Sequence, residues 1–442
     1  MATEVLTSVV AVIVVLGIMI LVHEWGHFMA AKLFGVRVEI FSFGFGPRLW
    51  GRRRGPTDYR LSALPLGGYV KMAGDNPAEE RSGAADEFLS KPRWQRALIA
   101  IAGPAMNIVT AVALLAGTFI AVGLPYPAYL SRPVEVVAFP KNSLGPAAGI
   151  HLGDRLVDID GIANPTWEQV QTHLGQATPG TEIKLELRRG DEFVHVSMSP
   201  PDPQDVDAIL GYPPVAAVID QVAPGMPAER AGMRDGDEVV QCNGQPVVTW
   251  PQLVETIRHS NGQPVQMLVR RGDRRILLQI RPVLGQTLRG EQVWQIGAAP
   301  RPEAIYRRLG PTAAVQQGLM ASVAVGRQIY GIVGKLFVGK VSLRQLQSVI
   351  GIARESGHAV RRGPVALIEL MAMISLNLAI LNLLPIPILD GGHVLLLLVE
   401  GGLRRDLSVA LKERFVQVGL VFLLVIIAIV MYNDVLRLLP NR

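Results

Sequence analysis

Apolar residues in this chain come in blocks. Four stretches approach the roughly 20 residues needed to cross a bilayer. The first runs from about Val5 to Phe34, the second from about Ala97 to Val122, the third from about Pro364 to Leu384 and the fourth from about Phe415 to Tyr432. Between the first two, Val38–Gly46 and Tyr59–Met72 alternate apolar with small or polar residues, a pattern that predicts two strands of a hairpin within residues 35–96. Residues 300–363 are mixed in polarity and predict a helical connector ahead of the third span.

The long segment between the second and third spans repeats itself. Ala148-Gly149-Ile150, Gly153-Asp154-Arg155-Leu156-Val157 and Asp160-Gly161 return as Ala231-Gly232-Met233, Gly236-Asp237-Glu238-Val239-Val240 and Asn243-Gly244. Trp167 and Trp250 follow at the same offset, and Arg-Arg-Gly-Asp recurs at Arg188–Asp191 and Arg270–Asp273. Asp-Gly and Asn-Gly predict tight hairpins between alternating strands, and each Trp opens a short helix. The pattern resembles PDZ domains, giving expected units at 128–199 and 208–285 with the Pro-rich Pro200–Asp207 as their linker.

Composition agrees with a membrane protein. Charged residues make up 18% and hydrophobic ones 49% of the 442 residues, where soluble chains carry about 25% charged residues. The net charge of +6 is carried largely by Lys and Arg beside the apolar spans, so it points to membrane-flanking loops and not to nucleic acid. Lys32, Arg37, Arg48, Arg52, Arg53, Arg54, Arg60, Lys71, Lys91, Arg93 and Arg96 precede span two, and Arg404, Arg405, Lys412 and Arg414 precede span four. The bias places both loops in the cytoplasm and the repeat outside it, although Arg361 and Arg362 run against it. The first span has no basic leader and continues into polar chemistry, so it is expected to stay in the mature chain. Cys242 is the single cysteine and can make no internal disulfide.

The chemistry sits inside the first span, at His23-Glu24-Trp25-Gly26-His27. Residues four apart share a helical face. Both imidazoles can therefore meet one ion, with the Glu24 carboxylate beside them, and this donor set suits zinc. Intramembrane ionisable groups are costly and point to function. A third ligand is needed. The third span ends in Asn377, Asn382 and Leu383-Leu384-Pro385-Ile386-Pro387-Ile388-Leu389-Asp390-Gly391-Gly392-His393. Two prolines break the helix before Asp390 and two glycines loosen the chain after it. Spacing favours Asp390 as the ligand, with His393 as the rival. Asn377 and Asn382 can position a substrate carbonyl or join helices. The hairpin after span one offers a sheet edge on which an extended substrate can dock.

Taken together, these motifs resemble the site-2 protease family of intramembrane zinc metalloproteases, in its bacterial branch with tandem PDZ domains. The resemblance rests on HEWGH at 23–27, the strands around Phe43–Pro47 and Leu66–Met72, Gly103-Pro104 with Asn107, and Asn377, Asn382 and Leu389-Asp390-Gly391. It implies a multi-pass α-helical membrane protein of about four transmembrane helices. A cytoplasmic-side membrane-associated β-hairpin and two extracytoplasmic PDZ domains would complete the fold. It further implies that His23, His27 and Asp390 hold Zn²⁺, that Glu24 is the catalytic base and that Asn382, supported by Asn377, contacts substrate. The implied partners are the bilayer and a single-pass membrane substrate such as an anti-sigma factor, with peptide C-termini at the PDZ units and no nucleic acid. The implied location is the inner membrane. One departure is visible: family members often carry Gly-Pro ahead of span three, where this chain reads Ser348-Val349. Ile209-Leu210-Gly211-Tyr212 is expected to be a carboxylate-binding loop of the second PDZ unit. Two other readings compete, a catalytically silent PDZ-bearing scaffold and an ion transporter with broken helices.

Overall fold

A computed structural model describes residues 2–76, 82–223, 225–287, 291–301, 303–337 and 349–438. The chain forms two compact units. One joins Met1–Leu124 to Arg308–Arg442, and the other is Pro125–Arg307.

The first unit opens with helix α1 (Ala2–Leu33). α1 is apolar on every side over most of its length, so no soluble core face can account for it. Val15 and Met19 are buried, whereas Leu6, Val10 and Val14 stay exposed. β1 (Val38–Arg54) and β2 (Thr57–Met72) follow as the expected hairpin. Its register is folded: Phe41 lies opposite both Val70 and Tyr59, and Phe43 opposite both Gly68 and Leu61. The first half of β1 is therefore flanked on both sides by β2. Helix α2 (Arg93–Ala121) carries Pro104 in its interior.

The second unit is built twice on one plan. β3 (Leu124–Pro127) leads in. β4 (Arg155–Ile159), β5 (Ile162–Ala163), helix α3 (Trp167–Gln176), β6 (Ile183–Arg189) and β7 (Glu192–Met198) form the first copy, with sheet order β5-β4-β6-β7. The short helix α4 (Val206–Leu210) closes it. The second copy contains β8 (Ile219–Val222), α5 (Pro227–Arg230), β9 (Glu238–Cys242), β10 (Gln245–Pro246), α6 (Trp250–Arg258), β11 (Val265–Arg271) and β12 (Arg274–Ile280). Its sheet order β10-β9-β11-β12 matches the first. Each helix is capped by a threonine, Thr166 or Thr249, whose side chain accepts a backbone N–H. Asp160 and Asn243 take positive φ at the two hairpins, as an Asx-Gly turn requires. Asp154 and Asp237 are fully buried, and each is held by two nitrogens of an arginine, Arg189 and Arg271.

Two expectations are corrected in this unit. Ile209 and Leu210 belong to the core of the first copy, with Trp167, Val170 and Leu174. Tyr212 N–H donates to Ala138 O at 2.8 Å in that copy. The Leu-Gly segment therefore closes copy one and is no loop of copy two. Copy two is closed likewise: after β13 (Val283–Gln286) and β14 (Gln292–Gln295), β15 (Ala298–Pro300) pairs with β8 beyond buried Ile296. The second copy therefore runs past residue 285, and the expected helical connector at 300–363 begins in sheet. β16 (Ala304–Arg307) then pairs with β3.

The chain re-enters the first unit through α7 (Pro311–Phe337), α8 (Val349–Arg362), α9 (Pro364–Asn382), α10 (Asp390–Leu403) and α11 (Val409–Leu438). Among the described residues, three helical segments are long and apolar enough to cross a membrane: Leu6–Leu33, Arg93–Ala121 and Pro364–Asn382. The fourth expected span falls inside α11, which is not one of these three. Ser348 lies outside the described residues. Gly363, at φ 108°, is the N-cap of α9, and Pro364 occupies its first turn, where a missing N–H costs nothing.

Candidate active site

Four elements meet around the α1 histidines. His23 and His27 are 5% and 8% exposed and stack one above the other near the end of α1. Their Nε2 atoms lie 3.2 Å apart. α1 and α2 cross here at glycine contact. A Cβ on Gly26 would stand 2.3 Å from Ala102 O, and a Cβ on Gly103 would stand 2.3 Å from His27 Nε2. Ile99 O, on α2, accepts a hydrogen bond from His27 Nδ1 at 2.8 Å. That bond fixes the His27 tautomer and leaves Nε2 as a bare lone pair. On the same helix Asn107 is fully buried, with its Nδ2 3.3 Å from His23 Nδ1.

α9 ends at Asn382, and a turn through Leu384–Ile388 delivers Asp390 as the first residue of α10. The two prolines break the helix as expected. The glycines do not loosen the chain: Gly391 and Gly392 are helical and buried, and a Cβ on either would stand 2.3 Å from a backbone oxygen of that turn. Their lack of a side chain lets α10 pack down on the turn. Ile388 has φ +79°, a strained conformation for a β-branched residue. Such strain is often held at functional sites.

Asp390 Oδ2 lies 3.0 Å from His23 Nε2, and its Oδ1 lies 3.4 Å from His27 Nε2. Tetrahedral zinc with bonds of about 2.0–2.1 Å separates its ligand atoms by about 3.3 Å. Two imidazole nitrogens and a carboxylate converge here at that spacing. Facing lone pairs repel unless a cation lies among them, so the donor set fits the zinc that the motif implies. His393 lines the same cavity but does not join the three convergent residues.

That cavity, of about 1090 Å³, is also lined by Glu24, Asn382, Gly68 and Val70. A Cβ on Gly68 would stand 3.2 Å from Glu24 Cγ, and the Val70 amide faces the Glu24 carboxylate. One stretch of β2 thus runs directly beside Glu24. Asn382 Nδ2 lies 3.1 Å from His23 Nε2. Asn377 is half-buried on α9 and is not among the lining residues. Glu400 and Lys412 also line the cavity, and no sequence motif pointed to their pairing. Glu400 is 1% exposed and pairs with Lys412 Nζ at 2.6 Å, bracing α10 against α11. The signal was available, as a lone carboxylate closing the apolar run His393–Val399 with a lysine twelve residues on.

The chain is similar to known proteins over most of its length. The profile of Peptidase family M50 matches residues 11–426. Protease RseP of Yersinia pestis is 33% identical, with 98% of this chain and all of the relative aligned. Regulator of sigma-E protease RseP of Escherichia coli is 32% identical over 96% of this chain and 98% of its own. A putative zinc metalloprotease of Vibrio cholerae is 31% identical over 99% of this chain and all of its own.

Proposed function

The chain belongs to Peptidase family M50, the site-2 proteases, and is an intramembrane metalloprotease; on that premise we propose that it cleaves single-pass membrane proteins at a zinc site held by His23, His27 and Asp390, with Glu24 as the base. The observation that carries this reading is the convergence of those three donors beside Glu24 in one cavity. When bound, zinc lowers the pKa of water toward 7 and polarises a carbonyl. Glu24 takes a proton from the attacking water and passes it to the leaving amine. Asn382 holds the scissile carbonyl by an amide N–H. Its distance from His23 supports this role.

A transmembrane helix hides its carbonyls in its own hydrogen bonds, so it must be unwound before water can attack. The stretch Gly68–Met72 of β2 is suited to that task, since a substrate segment added to it lies alongside Glu24. That relatives are regulators of sigma-E proteases supports an anti-sigma factor as substrate. The bias of Lys and Arg supports an inner-membrane protein with its site toward the cytoplasm. The duplicated unit would then lie outside as two PDZ domains that dock peptide C-termini or filter substrates by size.

Cleavage of a tagged single-pass reporter by wild type and Glu24→Gln tests the reading. Wild type should cut and the variant should lose at least a hundredfold in rate. Equal cutting would leave the assignment of the base without support, and no cutting by either protein would favour a silent scaffold. Zinc content should fall in Asp390→Ala and persist in His393→Ala.

A further inference from the structure

We propose that Asn107 is a positioning residue for His23, and that its side-chain amide fixes the imidazole tautomer needed for metal binding. This rests on the reading of His23 as a ligand. Each ring has its Nε2 facing Asp390. A ring that ligates through Nε2 must carry its proton on Nδ1, and the partner of that N–H sets both tautomer and ring angle. For His27 the partner is the Ile99 carbonyl. The side-chain atom that meets His23 Nδ1 belongs to Asn107, one helix over and two turns along α2 from Ile99.

Asn107 is fully buried, and its backbone carbonyl accepts from Ser375 Oγ of α9 at 2.9 Å. With Nδ2 turned to the ring, His23 Nδ1 must act as acceptor, which puts the proton on Nε2 where it points at the other ligands. In that orientation Asn107 Oδ1 is buried with no donor. Rotating the amide by half a turn brings Oδ1 to the ring, where it accepts the Nδ1–H. Donor and acceptor on one planar group therefore serve either tautomer. The Nδ2 orientation matches His23 hydrogen-bonded to Asp390, and the Oδ1 orientation matches His23 with a bare Nε2. One helix thus sets both rings, His27 by a fixed carbonyl and His23 by a rotatable amide.

The test reads metal binding in the full-length protein in detergent. Zinc affinity is measured by chelator competition, and Co²⁺ substitution reports ligand geometry by its visible spectrum. Asn107→Leu keeps the shape and removes the acceptor; it should weaken zinc binding by about 10- to 100-fold and alter the cobalt spectrum. Asn107→Asp keeps an acceptor at the same place and should retain affinity within a few-fold. Ser375→Ala disturbs only the α9 contact to the Asn107 backbone and should leave both readouts unchanged. Wild-type zinc affinity in Asn107→Leu would overturn the proposal. So would equal losses in the Leu and Asp variants, since that pattern means packing. If the Leu variant fails to fold, Asn107→Asp and Asn107→Ser still decide: loss in both, in folded protein, refutes the role of the acceptor. Glutamate substitution effects at position 24 play no part here, so failure of this idea leaves the base assignment intact.

Discussion

Side chains of the proposed metal site are set by what their neighbours lack. Gly103 is the clearest case, because a methyl there would stand 2.3 Å from His27 Nε2 while His27 Nδ1 is pinned to Ile99 O at 2.8 Å. The ring cannot turn aside without breaking that bond. Gly103→Ala is therefore expected to lower zinc affinity at least tenfold, measured by chelator competition. Gly117→Ala on the same helix meets nothing within 4 Å and should leave affinity unchanged. Much at this scale was legible in the sequence. Two histidines four apart declare a shared helical face, and Asp390 could be preferred to His393 from its place after the prolines. What each ring's second nitrogen touches was not legible, because Ile99 O and Asn107 come from another helix whose angle is set by packing.

Elements carry the site through their ends. α9 stops, α10 starts, and Asp390 sits at the start because Gly391 and Gly392 allow the two to close on each other. The Glu400–Lys412 pair ties the far end of α10 to α11, with Leu407 N–H also donating to Glu400 at 3.0 Å. Removing one partner of a buried pair leaves an uncompensated charge and costs about 3–5 kcal/mol. Glu400→Leu should accordingly lower the melting temperature of the detergent-solubilised protein, and the double variant with Lys412→Met should recover most of the loss. Sequence periodicity could not separate α10 from the third span, since both are apolar and only the prolines lie between them. It also misplaced Ile209–Tyr212. A Leu-Gly segment between two copies of a repeat can close the copy before it or open the one after, and the packing of Ile209 and Leu210 with the hydrogen bond to Ala138 distinguishes them.

At the scale of the molecule, the duplicated unit has its own acid response. Burial works to raise the Asp154 and Asp237 carboxyls, but the paired Arg189 and Arg271 and backbone N–H groups outweigh it and hold both below their ordinary value. Groups depressed in the folded state add stability above the unfolded value, and that stability is lost as pH falls through the lower folded values. Asp207 behaves oppositely: burial, with Asp205 nearby, pushes it up to about 6. Its contribution is present in full at low pH and lost as pH rises from about 4 through about 6. Hydrogen exchange across 125–307 in the full chain should show protection that declines over that rise. Asp207→Asn should flatten this decline and leave the acid limb near pH 3 in place.

The first unit is discontinuous in sequence, interrupted by Pro125–Arg307. His23 and Asn382 meet across 359 positions. Such a closure cannot happen early in synthesis. At about 5–20 residues per second, the histidines leave the ribosome roughly 20 to 70 seconds before the aspartate that completes their set. Through that interval the nascent chain holds Glu24 and the two imidazoles of the proposed site without Asp390. On the proposed assignment, a chain stalled or truncated before α10 lacks Asp390 and should hold no zinc.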